Sequence, residues 1–211
     1  MDNIGEFFTE VIGSASAAKP RSQQTAVGPS EIGGCRRKVW ERLQGTEPTN
    51  ATLRQPAFLG TAIHAELDRA VERLDPFGER FLREFEVERD GVRGHVDLFD
   101  KTDGLILDWK TTKLKSLRYF PSAQQRWQVQ VYGYLMSKEY AVTDVALVAI
   151  VRDGDETDLQ IHREPYNSEI AFQALDWLVE IRESANPPDP EKPVKFCRDW
   201  CEFFGACPGK G

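Results

Sequence analysis

What this chain lacks narrows the field before any motif is read. It has no long apolar run: the longest, Val145–Val151, falls far short of the roughly 20 residues that cross a bilayer as a helix. No basic region precedes an apolar one behind the opening Met-Asp-Asn, so no secretion signal is expected and the protein is placed in the cytoplasm. It has no excess of positive charge. A formal net charge of −7 argues against a bulk polyelectrolyte binder, although a local basic stripe on an acidic background still suits nucleic acid. Cysteine is scarce, with four residues at 35, 197, 201 and 207. In a reducing compartment disulfides are disfavoured, so a shared metal or cluster is the expected use. The spacing alone does not choose between zinc and iron–sulfur.

What is present suits one domain with appendages in 211 residues, long enough for a substantial core. Residues 1–29 form an N-terminal arm, in which Ile4, Phe7, Phe8, Val11 and Ile12 recur at helical spacing before a small, polar loop over 14–28. The core spans 30–185, with Ser30 as the cap of a helix beginning at Glu31. Apolar periodicity then predicts a helix over 57–74. Strands follow over 81–89, 92–99 and 105–110, turned by Asp90-Gly91 and by Asp103-Gly104, because Asp-Gly supplies the positive φ of a tight turn. A helix over 123–140, a buried strand over 144–152, its hairpin partner over 157–163 and a helix over 167–184 complete the order. Asn186-Pro187-Pro188-Asp189-Pro190 is a stiff spacer before a C-terminal cysteine-rich segment over 186–211.

The chemistry concentrates in the middle hairpin. Gly94-His95-Val96-Asp97 lies on one strand and Asp108-Trp109-Lys110 on the next. Asp97 and Asp108 thus occupy neighbouring strands, and Lys110 shares a face with Asp108 because side chains repeat every second residue. Two carboxylates and an ammonium in one place suit a divalent cation and phosphodiester hydrolysis. Downstream, Lys113, Lys115 and Arg118 are interleaved with Tyr119 and Phe120, a mixture that serves a single nucleic-acid strand or an ordinary surface loop equally well. Gln128 and Tyr132 stand four apart on one helix face. Cys35-Arg36-Arg37-Lys38 reads as a solvated helix face or as cations near phosphate.

Taken in order, Gly60-x-x-x-His64, Asp97, Asp108-x-Lys110 and Gln128-x-x-x-Tyr132, bracketed by one cysteine before and three after, resemble the PD-(D/E)XK nuclease superfamily. Within it they resemble the RecB-like iron–sulfur branch, which includes the CRISPR-associated RecB-type exonuclease, the AddB nuclease domain and phage relatives. The resemblance implies an α/β (α+β) restriction-endonuclease-like core, a mixed central sheet flanked by helices, with a four-cysteine iron–sulfur clasp joining the N- and C-terminal segments. Asp97, Asp108 and Lys110 are then catalytic. His64, Asp97, Asp108 and the backbone carbonyl of Trp109 hold Mn²⁺ or Mg²⁺. Cys35, Cys197, Cys201 and Cys207 hold a 4Fe–4S cluster, with three residues between Cys197 and Cys201 where the family commonly has two. Gln128, Tyr132, Lys113, Lys115 and Arg118 contact DNA.

The implied activity is metal-dependent exonucleolytic cleavage, chiefly of single strands and in the 5′ to 3′ direction. Its settings are recombination, repair, or phage or CRISPR DNA processing, in a bacterial cell or a phage-infected host. The alternatives are a non-catalytic DNA-binding subunit and a CRISPR spacer-adaptation factor. The sequence has no Gly-x-x-x-x-Gly-Lys followed by Ser or Thr, so any unwinding falls to a helicase partner. An integrase partner and a homo-oligomer are both compatible with the family.

Overall fold

The computed structural model describes residues 4–17, 27–50, 55–191, 194–205 and 207. Five strands form one sheet in the order β1-β2-β3-β4-β5. They are β1 (Phe81–Arg89), β2 (Val92–Asp100), β3 (Leu105–Thr112), β4 (Asp144–Val151) and β5 (Gln160–Pro165). The pairings β1–β2, β2–β3 and β4–β5 are antiparallel, and β3–β4 is parallel. A parallel pair cannot be joined by a tight turn. The crossover here contains 3₁₀ turns over Leu114–Tyr119 and a long helix over Ala123–Met136.

The helices are α1 (Ile4–Ala17), α2 (Arg36–Leu43), α3 (Gln55–Leu74), α4 (Ala123–Met136), α5 (Ser168–Glu183) and α6 (Val194–Trp200). Helix α4 begins with a capping box in which the Ser122 hydroxyl accepts from Gln125 N, and from Gln128 to Met136 every residue is buried. It lies between the sheet and α5, so both of its faces are covered. Ile106, Val145 and Leu147 of the sheet, Val129 and Val131 of α4, and Ala174, Leu178 and Ile181 of α5 belong to one core. Helix α3 packs against β1 and β3, and α1 lies along α3. Among the described residues no helix is long and apolar enough to cross a membrane.

Several boundaries differ from those the sequence suggests, each for a local reason. Ser30 does not cap a helix. It sits in a 3₁₀ turn over Pro29–Glu31 with Gly28 at the cap position, and the helix starts at Arg36 behind Cys35. Gly33, at φ +78°, separates the two. A Cβ there would lie 2.9 Å from the Trp127 ring, so only glycine allows the turn to close on α4. Val27 is fully buried and belongs with the core. Strand β5 begins at Gln160 because Asp155 accepts from Thr157 N, a local turn that removes Thr157 from the ladder. Helix α4 ends at Met136, and Tyr140 instead turns its ring onto Phe85 and Phe99. The expected loop over 14–28 is helical through Ala17; residues 18–26 lie outside the described ones.

The C-terminal segment returns to the N-terminal side of the core. The carbonyl of Glu202 accepts from Thr49 N at 2.8 Å and Asn50 N at 2.9 Å. Asn50 Nδ2 donates to the carbonyls of Arg198 and Cys201, and Phe203 is buried.

Candidate active site

The hairpin of β2 and β3 pairs Asp100 with Leu105, Phe99 with Ile106 and Leu98 with Leu107. One step further along this register stand Asp97 and Asp108, and there the ladder stops. In its place Trp109 N donates to Asp97 Oδ2 at 3.0 Å. The two strands part where they carry their acids, and the carboxylates face a common opening. Asp108 stays in the sheet on its other side, opposite Leu147 of the parallel neighbour β4.

His64 arrives from α3. Its Nδ1 lies 3.4 Å from Asp97 Oδ1, and its ring meets Trp109 edge-on with centroids 6.3 Å apart. The glycine one turn earlier explains how. A Cβ on Gly60 would stand 3.2 Å from Thr111 Oγ1, tighter than ordinary packing, so glycine lets α3 lie against the end of β3. Gly94 does the same on the other side, where a Cβ would meet Pro29 Cδ at 2.8 Å and Tyr132 at 3.0 Å. Both spacings, Gly-x-x-x-His and Gly-x-x-Asp, are therefore close-approach devices that bring an imidazole and a carboxylate together.

Asp108 is 1% exposed, and Lys110 Nζ is 2.6 Å from its Oδ2. Burial raises the Asp108 carboxyl, Lys110 opposes the rise and Asp97 adds to it, which together leave it at about 6. Gln128 Nε2 donates to Asp108 Oδ1 at 2.9 Å and is itself buried. The amide that the resemblance assigns to DNA contact also braces a carboxylate. Tyr132, one turn on, is buried beside Gly94.

Sequence reasoning missed Glu84. Phe81, Phe85 and Val87 mark the inward face of β1, which leaves Glu84 on the other face. Yet Glu84 adopts φ +42°, in the left-handed region that costs a non-glycine residue roughly 1–2 kcal/mol. The β1–β2 register is continuous on either side of it, and it falls opposite Asp97. His64, Glu84 and Asp97 bring ligand atoms within 4.8 Å of one another. Three carboxylates with one lysine nearby leave surplus negative charge in a buried place. A nitrogen and several oxygens around such a charge are a donor set suited to a divalent cation.

The strain gives a prediction. Glu84→Gly removes the left-handed penalty and one like charge, so the metal-free protein is expected to be unchanged or up to about 1 kcal/mol more stable while binding Mn²⁺ more weakly. Thermal melts and calorimetric titration check the two halves. Unaltered Mn²⁺ affinity would remove Glu84 from the ligand set.

The aspartates, His64 and Lys110 open into a cleft of about 320 Å³. Its floor holds His64, Asp97, Asp108 and Lys110, and its walls include Lys38, Arg42, Arg93 and Tyr132. Lys113, Lys115 and Arg118 lie outside it, exposed on the turns after β3. Arg118 rests over the ring of Tyr119 at 4.8 Å, and Tyr119 is 67% exposed. Further along the chain, Arg126 is engaged by Glu164 and Trp127 packs on Trp177.

Cys35 stands at the position just before α2, where its side chain makes no capping hydrogen bond, and the other three cysteines follow the spacer. The Cys201 thiol is raised by burial, with Lys38 opposing and the nearby Cys35 and Cys207 adding to the rise. Cys201 N donates to the Cys197 carbonyl at 2.8 Å. The chain's two ends thus bring thiols into one another's fields, although no three of the sulfurs lie mutually within 4.8 Å.

A mixed five-stranded sheet whose parting hairpin carries Asp and Asp-x-Lys defines a nuclease class, and the family comparison agrees. Residues 23–208 match the PD-(D/E)XK nuclease superfamily, and the chain belongs to it. By structure it is similar to SSO0001, with a TM-score of 0.59 at 18% identity over 99% of this chain and 98% of that one. It is also similar to the alkaline exonuclease LHK-Exo from Laribacter hongkongensis, with a TM-score of 0.50 at 14% identity over 76% of this chain and 90% of that one. The same exonuclease in complex with dAMP gives 0.51 at 13% identity, over 76% and 87%. No curated protein matches the chain in sequence.

Proposed function

We propose that this protein is a Mn²⁺- or Mg²⁺-dependent exonuclease that hydrolyses single-stranded DNA. The observation that carries the reading is the convergence of His64, Asp97, Asp108 and Lys110 at the floor of one cleft, where two buried carboxylates have a single adjacent ammonium. His64, Glu84, Asp97, Asp108 and the Trp109 carbonyl are the residues that would hold the cation. When bound, it supplies polarisation of the scissile phosphate and acidification of a water.

The chain's own groups do the rest. Gln128 and the Trp109 amide hold Asp108 and Asp97 in place. Lys110, with its amine beside Asp108, orients the attacking water and offsets charge as it grows on the phosphoryl oxygens. Lys113, Lys115 and Arg118, with Tyr119 exposed beside them, guide the strand outside the cleft by neutralising phosphate and stacking bases. The exonuclease activity named for LHK-Exo, and its capture of a nucleoside monophosphate, support an exonucleolytic mode on this fold. The chain would act in the cytoplasm in recombination, repair or the processing of phage or CRISPR DNA, with unwinding left to a helicase.

The second half of the reading is that Cys35, Cys197, Cys201 and Cys207 hold a 4Fe–4S cluster that ties the chain's ends together. Four free cysteines on segments that dock against one another, in a compartment where disulfides are disfavoured, support a shared metal group.

An assay on end-labelled oligonucleotides tests the nuclease. Wild type with Mn²⁺ should release short products from single strands and none in EDTA. Lys110→Ala should lower kcat by at least about 100-fold, the scale of removing one transition-state contact. Retained turnover in that variant, or a wild type that cuts no labelled DNA, would refute the reading.

A further inference from the structure

The three consecutive cations Arg36, Arg37 and Lys38 are indistinguishable in sequence, and the fold sorts them. Arg36 turns to α5, 2.8 Å from Glu180 and over the Trp177 ring. Arg37 turns along its own helix to Glu41 at 2.6 Å. Lys38 alone of the three lines the catalytic cleft. Its ion pair, to Glu202, is long at 4.0 Å. Cys35, Lys38 and Arg42 stand at i, i+3 and i+7, one face of α2. That face is braced by Arg42, which pairs with Glu31 at 2.6 Å and with Glu202 of the cysteine-rich segment. Lys38 is therefore held over the cleft by the same contacts that fasten the chain's two ends.

Arg93 faces the cleft from β2. It shares a face with Asp97, four residues on, which is roughly 13 Å along a strand. It pairs across to Glu86 at 2.7 Å with its side chain 46% exposed. At that separation it reaches a neighbouring phosphate and not the one being cut.

The geometry points to Lys38 and Arg93 as a phosphate-binding rail inside the cleft, gripping the backbone of a single nucleic-acid strand on either wall beside the scissile bond. This rests on the nuclease reading and deepens it. It adds two strand contacts within the cleft to the exposed cations after β3, and makes the cysteine-tied helix α2 part of the substrate site.

The test is anisotropy of a labelled oligo-thymidine strand binding the full chain, with Ca²⁺ replacing Mn²⁺ so that the strand stays uncut, over a series of salt concentrations. Lys38→Gln and Arg93→Gln should each weaken binding about fivefold or more and flatten the plot of log affinity against log salt by roughly 0.7, one phosphate on a single strand. Lys38→Arg should restore both. Arg36→Gln, one turn away in direction but facing α5, should change neither. Calorimetric Mn²⁺ affinity should be unmoved in all four, which separates a rail from a disturbed metal site.

Unchanged affinity and slope in Lys38→Gln and Arg93→Gln, or an equal loss in Arg36→Gln, would overturn the rail while leaving the nuclease intact. A wild type that neither binds nor cuts the strand would overturn the nuclease reading, and this assignment with it.

Discussion

Asp108→Asn is expected to abolish cleavage while making the metal-free protein more stable at alkaline pH. Asp108 is buried with its carboxyl raised to about 6 against an ordinary value near 3.8. A raised acid binds its proton more tightly in the folded state than in the unfolded one. Stability therefore falls as pH rises from about 4 to about 6, and the whole penalty is present above that. Two pH units correspond to roughly 3 kcal/mol. Lys110 loses its partner in the variant, so the expected gain is about 1–3 kcal/mol at pH 8, shrinking to nothing near pH 4.

Divalent cations should reverse the order. Mn²⁺ at a hundred times its Kd stabilises wild type by about 2.7 kcal/mol, whereas the asparagine variant, lacking a charged ligand, gains much less. Melts at pH 4 and pH 8, with and without Mn²⁺, provide the check. A variant that is less stable than wild type at pH 8 in EDTA would show that Asp108 is not held as a costly buried charge. Below pH 6 the proton competes with the cation, and wild-type Mn²⁺ affinity should fall by about tenfold per pH unit.

Cys201→Ser should have the largest effect on folding. The Cys201 thiol feels both Cys35 and Cys207, and Glu202 beside it carries the hydrogen bonds that dock the C-terminal segment. On the cluster reading, its replacement bleaches visible absorption, lowers iron content and costs several kcal/mol, because ligand bonds formed only in the folded chain are folding free energy. The loop closed between Cys35 and Cys201 covers most of the chain, so releasing it returns much conformational entropy to the unfolded state. Undiminished stability with unchanged iron would dismiss the clasp. Zinc in place of iron in wild type would keep the clasp and change its metal.

Much of the site was legible because it depends on short-range rules. The Asp103-Gly104 turn, with Gly104 at φ +62°, fixes the register of its hairpin. Register places Asp97 next to Asp108, and strand alternation puts Lys110 on the face of Asp108. The helix with Gly60 and His64 and the helix with Gln128 and Tyr132 were visible as periodic apolar patterns. Glu84 was not legible. Its strand alternates normally around it, and only a left-handed backbone angle in mid-strand turns it toward His64 and Asp97. No residue type announces such an angle when the occupant is not glycine.

Gln128 illustrates the same limit from the other side. Sequence put it on the same helix face as Tyr132, but not what that face meets. The structure directs the amide at a buried carboxylate that would otherwise rely on Lys110 alone. The cations of 36–38 differ in nothing that periodicity can see, and they diverge to α5, to their own helix and to the cleft.

The amino-acid sequence by itself determined the strands, the hairpin, the order of the elements and the pairing of two aspartates with a lysine. These follow from backbone preferences and side-chain periods that act over a few residues. Only the tertiary structure decided that the β2–β3 ladder parts at the acids, that Glu84 joins them, that Gln128 holds one of them and that Lys38 overlooks the cleft. Each of those depends on which distant surface packs against which, and on the cost of leaving a buried charge unmatched, and neither is written in any local stretch.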